Sequence, residues 1–471
     1  MVKRPKKQLI FAKRTSRPYR RNSRSWLWTI ASVVLLLLVL ELLTRVVVDL
    51  TGNRAEFTQA TVEPDLAKAY QLKFVSETGE PYETLETKGS LVARRSLSVG
   101  YQLEESQESK YWQINQQGFR DREPVLPSKP KQEIRIFVIG GSTAFGYGSS
   151  SNETTIGERL EARLQQRVGQ QKDLPQFYQP DVLPIDPEQR QAALAKPAKI
   201  KSGQYRVVNA AVPGYASGNE LAQLALQILN YNPDVVIVLD GYADLMLAGS
   251  EKAVDIPQLE EYLDNEFAYF RAYVSRLLEP IENNSYLVQS IQNRLLDPEN
   301  PQNTDFYLKD EPEDLVNYLP ENEEELAQRV NRYYNNHQQI LKLCAAAQIP
   351  VIFATQPEIT GQDPSRLTEK EGSVTTQLGR EYIQTVKNAY PEFIAANQKL
   401  ANTFPYNVRA VDSYNLSDKY PSPSFIDPTH LTDEANQQVA EQLYYAVAAL
   451  PKLQIEPSKP PVKSQPKRGD R

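Results

Sequence analysis

The stretch Ile134-Arg135-Ile136-Phe137-Val138-Ile139-Gly140-Gly141-Ser142-Thr143 decides the fold. It is a β-branched apolar run that stops at two glycines. A strand buried on both faces of a parallel sheet reads this way, and the glycines mark a tight turn at its carboxyl end. Outward from it the pattern repeats. Residues 205–210 (Tyr-Arg-Val-Val-Asn-Ala) lead to Val212-Pro213-Gly214, residues 234–240 (Asp-Val-Val-Ile-Val-Leu-Asp) lead to Gly241, and residues 350–355 form a fourth strand. Helical spacing lies between them. Ile156, Leu160, Leu164 and Val168 share one face, and Leu221, Leu224, Leu226 and Ile228 another. A long helix is predicted over 323–347, with Asn322 as its N-cap and Glu323, Glu324 and Glu325 at the positive end of its dipole. A helix over 375–400, a short strand over 407–412 and a helix over 431–449 complete the series. Such alternation predicts an α/β fold in which helices cover both faces of a parallel sheet, a three-layer α/β/α arrangement. Reactive groups in such a sheet belong at the carboxyl ends of the strands.

The N-terminus has a different character. Residues 1–25 hold ten Lys/Arg and no acid. Of the chain's 53 basic residues 43 therefore remain against 59 acidic ones, and the body is acidic. That argues against nucleic acid as a partner. Trp26 to Leu40 is uncharged, and the apolar run resumes after Glu41 to reach Val48. About 20 such residues span a bilayer. No Ala-x-Ala-like cleavage site follows the run. A retained transmembrane helix over 26–48 is expected, with residues 1–25 as a basic cytoplasmic tail and the bulk of the chain outside the cytoplasm. Residues 49–130 read as a stalk plus a lead-in segment that packs on the main domain, and 131–450 as that domain. Within that domain about 170–203 reads as a surface loop and about 247–322 as a helical insertion. The tail 451–471, with five Pro and six Lys/Arg, reads as disordered.

One cysteine, Cys344, excludes an intrachain disulfide and reads as packing on the long helix. Two histidines, His337 and His430, leave no basis for a zinc site built on several His or Cys ligands. His337 stands in the polar run Asn335-Asn336-His337-Gln338 and is expected to be solvated. His430 belongs to Asp427-Pro428-Thr429-His430, between the last strand and the last helix. A carboxylate three residues before a histidine can reach its Nδ1, fix the tautomer and leave Nε2 to take a proton from a serine. Ser142 in its turn reads either as a helix N-cap or as a nucleophile beside backbone N–H groups. Nothing follows Gly140–Gly148 that would make it a phosphate-binding or dinucleotide-binding loop. No cofactor and no metal are expected.

The order Gly140-Gly141-Ser142-Thr143, Pro213-Gly214, Gly241-Tyr242-Ala243-Asp244 and Asp427-Pro428-Thr429-His430 resembles the SGNH (GDSL-type) hydrolases over about residues 110–449. The lead-in Asn115-Gln116-Gln117-Gly118-Phe119-Arg120 is similar to that of membrane-anchored bacterial members. The resemblance implies their flavodoxin-like fold. It also implies that Ser142 is the nucleophile, His430 the general base and Asp427 its orienting carboxylate. The backbone N–H groups of Ser142 and Gly214 would be oxyanion donors. The third block is degenerate, because Ala243 stands where the family carries a donor Asn, between Gly241 and Asp244. Asn219 and Tyr242 are the candidate substitutes. Three functions fit: a membrane-tethered esterase or deacylase acting on an ester such as an O-acetylated glycan, an O-acyltransferase with the same triad, and a non-catalytic binder of an envelope polymer.

Overall fold

The computed structural model describes residues 64–75, 89–96, 99–248, 314–415 and 423–459. The apolar segment 26–48 and most of the insertion 247–322 lie outside these residues. Among the described residues no helix is long and apolar enough to cross a membrane.

Five strands form one sheet: β1 (Glu133–Gly140), β2 (Gln204–Asn209), β3 (Val235–Asp240), β4 (Val351–Thr355) and β5 (Val408–Asp412). Their spatial order is β5-β4-β3-β1-β2, and every pairing is parallel. This is the doubly wound 2-1-3-4-5 order. Its direction reverses between β1 and β3, which is where such sheets open a crevice for ligands.

The helices relevant to the site are α1 (Ser142–Phe145), α2 (Ile156–Asp173), α3 (Ser217–Leu226), α4 (Tyr242–Met246), α5 (Glu323–Ala346), α6 (Glu369–Thr403) and α7 (Asp433–Ala448). Alternate residues of β1 face opposite layers. Ile136 and Val138 pack in one buried cluster with Ile156 and Leu160 of α2 and Val439 and Leu443 of α7. Phe137 and Ile139 pack in another with Leu224 of α3 and Ile340, Leu341 and Cys344 of α5. Burial pushes the Cys344 thiol up to about 12, in keeping with a packing role. The capping signal holds where the sequence places it, the Asn322 side chain accepting from Glu325 N; Thr432 also caps α7 by accepting from Ala435 N. Helix α6 begins before the expected 375, because Thr368 and Glu371 form a capping box.

The described part of the lead-in packs on the sheet domain. Leu72–Val75 pairs in parallel with Leu91–Ser96, which pairs antiparallel with Gly100–Leu103. Tyr70, Tyr101 and Trp112 from this segment are buried in the same cluster as Ile136 of β1. The tail departs from expectation over its first nine residues. Gln454–Ile455 pairs antiparallel with Lys199–Ile200, and Ser458 N donates to Asp181 O at 2.8 Å. The Pro-rich composition hid this pairing, because it satisfies only a few backbone groups on a sheet edge. The stretch expected as a loop, about 170–203, also holds a helix, Pro187–Leu194.

Candidate active site

Strand β1 ends at the switch point in Gly140, at φ +151°, where a Cβ would lie 2.2 Å from the Leu239 carbonyl oxygen of β3. Only glycine permits this approach. Gly141, not Ser142, is the N-cap of α1, and no side-chain cap bond is made. Ser142 is the first helical residue and half-buried. Its hydroxyl is therefore not used as a cap, which removes the structural alternative for this serine.

The loop 427–430 is folded around its own carboxylate. Asp427 Oδ2 lies 2.5 Å from His430 Nδ1, and Oδ1 accepts from His430 N at 2.8 Å and Thr429 N at 3.0 Å. Burial works to raise the Asp427 carboxyl, but the adjacent His430 and these hydrogen bonds outweigh it and hold it below the usual carboxylate range. A carboxylate accepts, so Nδ1 carries the ring proton and neutral His430 presents the lone pair of Nε2. That atom is buried and has no hydrogen-bond partner among the described residues.

Thr143 and Tyr147 tie α1 and its turn to this loop. Thr143 Oγ1 donates to Thr429 O at 3.1 Å, and Gln356 Nε2 donates to Thr143 Oγ1 at 3.0 Å. Tyr147 N donates to Ser142 O at 3.0 Å, while its ring stacks on His430. Tyr147 is held between two left-handed glycines, Gly146 at φ +85° and Gly148 at φ +80°. Behind it Arg120, buried, donates to Phe145 O at 3.0 Å and to Gly146 O at 2.7 Å. Arg120 Nη2 also donates to Tyr70 OH at 2.8 Å, so the lead-in fixes the turn that follows the serine. Thr143, Tyr147 and Gln356 were not marked by sequence reasoning. The Gly-Tyr-Gly spacing was the one available signal for Tyr147.

Gly214, at φ +88°, lies in the turn after β2, where Pro213 O accepts from Tyr101 OH at 2.6 Å. The N–H groups of Ser142 and Gly214 make no hydrogen bond within the described residues. The third block behaves differently. Ala243 packs with Ala216 and Leu247. Asp244 accepts from Ser217 N at 2.8 Å and Ser217 Oγ at 2.6 Å, and so fastens the start of α3 to α4.

Neither expected substitute for the missing Asn is placed for the role. Asn219 spends its amide on Val99 O at 3.0 Å and its oxygen on Ala216 N at 3.1 Å. The Tyr242 hydroxyl is engaged with Tyr382 OH at 3.2 Å, and Tyr382 OH lies 3.1 Å from Glu358 Oε1. Glu358 is fully buried, and burial raises its carboxyl to about 7 despite its hydrogen bonds from Thr360 and Tyr382.

His337 is not solvated. It is fully buried, stacked on Phe353 with ring centroids 4.3 Å apart, and placed 2.9 Å from Asp240 Oδ2 through Nε2. Of its polar sequence neighbours Asn335 is exposed, Asn336 donates to Ser217 Oγ at 2.9 Å and Gln338 is half-buried, while the His337 face of α5 meets the end of β3.

The half-buried Ser142 stands at the switch point and the Asp427–His430 pair in the loop before the last helix of a doubly wound α/β sheet, with no hydrogen bond between Ser142 Oγ and His430 Nε2. Residues 136–443 match the GDSL-like Lipase/Acylhydrolase family. The chain belongs to this family. Similar solved structures include the acetyl xylan esterase AlAXEase, at 13% identity and TM-score 0.31, covering 67% of this chain and 100% of that one. An acetyl-xylooligosaccharide esterase variant from Geobacillus is similar at 13% identity and TM-score 0.31, covering 67% and 93%. A lipase/acylhydrolase from Enterococcus faecalis is similar at 12% identity and TM-score 0.30, covering 68% and 98%. No curated protein matches the sequence.

Proposed function

We propose that this chain is a membrane-tethered, extracytoplasmic serine esterase or deacylase working through Ser142, His430 and Asp427. The observation that carries the reading is the Asp427–His430 pair, whose buried Nε2 lacks a partner in the loop tied to α1. Ser142 Oγ attacks the ester carbonyl as His430 Nε2 takes its proton. The N–H groups of Ser142 and Gly214 receive the oxyanion. The alcohol leaves with the proton from His430, and water then releases the acyl group by the same path. The basic residues 1–25 and the apolar segment 26–48 support the tether and the side of the membrane. An ester on an envelope glycan is the substrate class that this location favours, with O-acetyl transfer to a sugar hydroxyl as the variant in which the acceptor replaces water.

Ala243 favours a second reading, a member that binds such a polymer without turnover, because a missing oxyanion donor costs roughly 10²–10³ in rate. Labelling of the full-length protein with a fluorophosphonate probe decides between them. Labelling that disappears in Ser142→Ala establishes the nucleophile. A folded protein that takes no label supports the binder.

A further inference from the structure

Beneath the turn that carries Gly241 and Ala243, three buried side chains from three elements converge: Glu220 of α3, Asp240 at the end of β3 and His337 of α5. One ligand atom from each lies within 4.8 Å of the others. Their surroundings fix where the protons are. Asn397 Nδ2 donates to Tyr333 OH at 2.9 Å and to Thr355 Oγ1 at 3.1 Å, so Asn397 Oδ1 is the atom facing His337 Nδ1 at 2.9 Å. An amide oxygen only accepts, and Nδ1 therefore carries a hydrogen. Tyr333 OH donates to Asp240 Oδ1 at 2.8 Å.

What remains faces inward without donors. His337 Nε2 is 2.9 Å from Asp240 Oδ2, and the Glu220 carboxyl faces the Asp240 carboxylate with no N–H donor for either of its oxygens among the described residues. With Nδ1–H and both carboxylates ionised, lone pairs would aim at one another in this buried interior, whereas a proton shared between Glu220 and Asp240 relieves part of that. Asp244, served by Ser217 and Arg332, is one more carboxylate nearby and offers no donor. Such a cluster requires two positive charges, supplied either by two protons or by one divalent cation.

We propose that Glu220, Asp240 and His337 bind a divalent first-row transition metal ion of the Zn²⁺ type. One imidazole nitrogen with carboxylate oxygens suits such an ion better than Ca²⁺ or Mg²⁺, which take oxygen ligands throughout. The outer contacts are those of a metal site: the ligating imidazole donates its other N–H to Asn397, and the ligating carboxylate receives Tyr333. The ion would cross-link α3, β3 and α5 at the end of β3 that leads through Gly241 into α4. Its role is structural, and it does not depend on whether Ser142 is active.

The test uses full-length protein, elemental analysis and thermal unfolding with Zn²⁺ and with a chelator. Wild type is expected to retain a stoichiometric amount of metal. Chelation should lower its unfolding midpoint by about 5 °C or more, and added Zn²⁺ should restore it. Glu220→Gln separates the two sources of charge. Its amide N–H replaces a shared proton but not a metal ligand, so the variant should lose both the metal and the chelator response. Wild type without metal, indifferent to chelator and Zn²⁺, overturns the proposal, as does metal that survives unchanged in Glu220→Gln. If the variant fails to fold, the metal content and chelator response of wild type decide alone.

Discussion

The Tyr147 ring lies over the His430 imidazole, with centroids 4.3 Å apart and planes inclined by 26°. Tyr147 therefore bounds one face of the ring, while Asp427 holds its Nδ1 edge. An aromatic face favours a cation beside it, so the stack should stabilise the imidazolium that forms as Ser142 loses its proton. Such contacts are worth about 0.5–2 kcal/mol. Tyr147→Phe should keep the fluorophosphonate labelling rate within about twofold. Tyr147→Ala should lower it about tenfold with little loss of stability. An unchanged rate in the alanine variant would assign the stack to packing alone.

Asp427 makes its own loop as well as its bond to His430. Asp427→Asn offers an amide where Nδ1 needs an acceptor, so the ring adopts the other tautomer and Nε2 no longer accepts. The labelling rate should fall by about 10⁴. Circular dichroism and the unfolding midpoint separate this chemical loss from collapse of the 427–430 turn.

Ala243 can be tested by restoring the donor. If the N–H groups of Ser142 and Gly214 work at a disadvantage, Ala243→Asn should raise ester turnover by up to about 10². A rate that does not rise would mean that the two backbone donors suffice, or that packing against Ala216 and Leu247 turns the new amide away. Comparing hydrolysis of a small ester with binding of its alcohol product distinguishes a gain in turnover from a gain in affinity.

Much of this arrangement was legible because the sheet is buried on both sides. Strands such as β1 and β3 must then be continuous apolar runs, and the reactive residues must fall where those runs stop. Ser142, Gly214 and Gly241 follow the ends of β1, β2 and β3 as that rule expects, whereas His430 is marked by its spacing from Asp427, well beyond the end of β5. What stayed hidden depends on contacts far apart in sequence. His337 looks solvated among Asn335, Asn336 and Gln338, and only the fold brings Asp240 and Asn397 to its two nitrogens. Asn219 was a reasonable donor by position, but its amide is claimed by Val99, 120 residues away. The docking of Arg120 behind Gly146 was also invisible, since a single arginine in a polar lead-in carries no periodicity.

Glu358 gives a pH dependence whose sign follows from its burial. Its folded value is about 7 against an ordinary 4.5, because burial penalises the charged form more than Thr360 and Tyr382 assist it. Between these two values the folded chain holds a proton that the unfolded chain has released. Stability from this group is therefore fully present below about pH 4.5, declines as pH rises to about 7 and is level above it. The shift corresponds to an order of 3 kcal/mol at most. Glu358→Gln keeps the shape and cannot ionise, so its stability should exceed wild type at pH 8 and approach it at pH 5. Urea unfolding at a series of pH values measures the difference. Parallel curves for the two proteins would show that Glu358 stays ionised in the folded state, held by Thr360 and Tyr382.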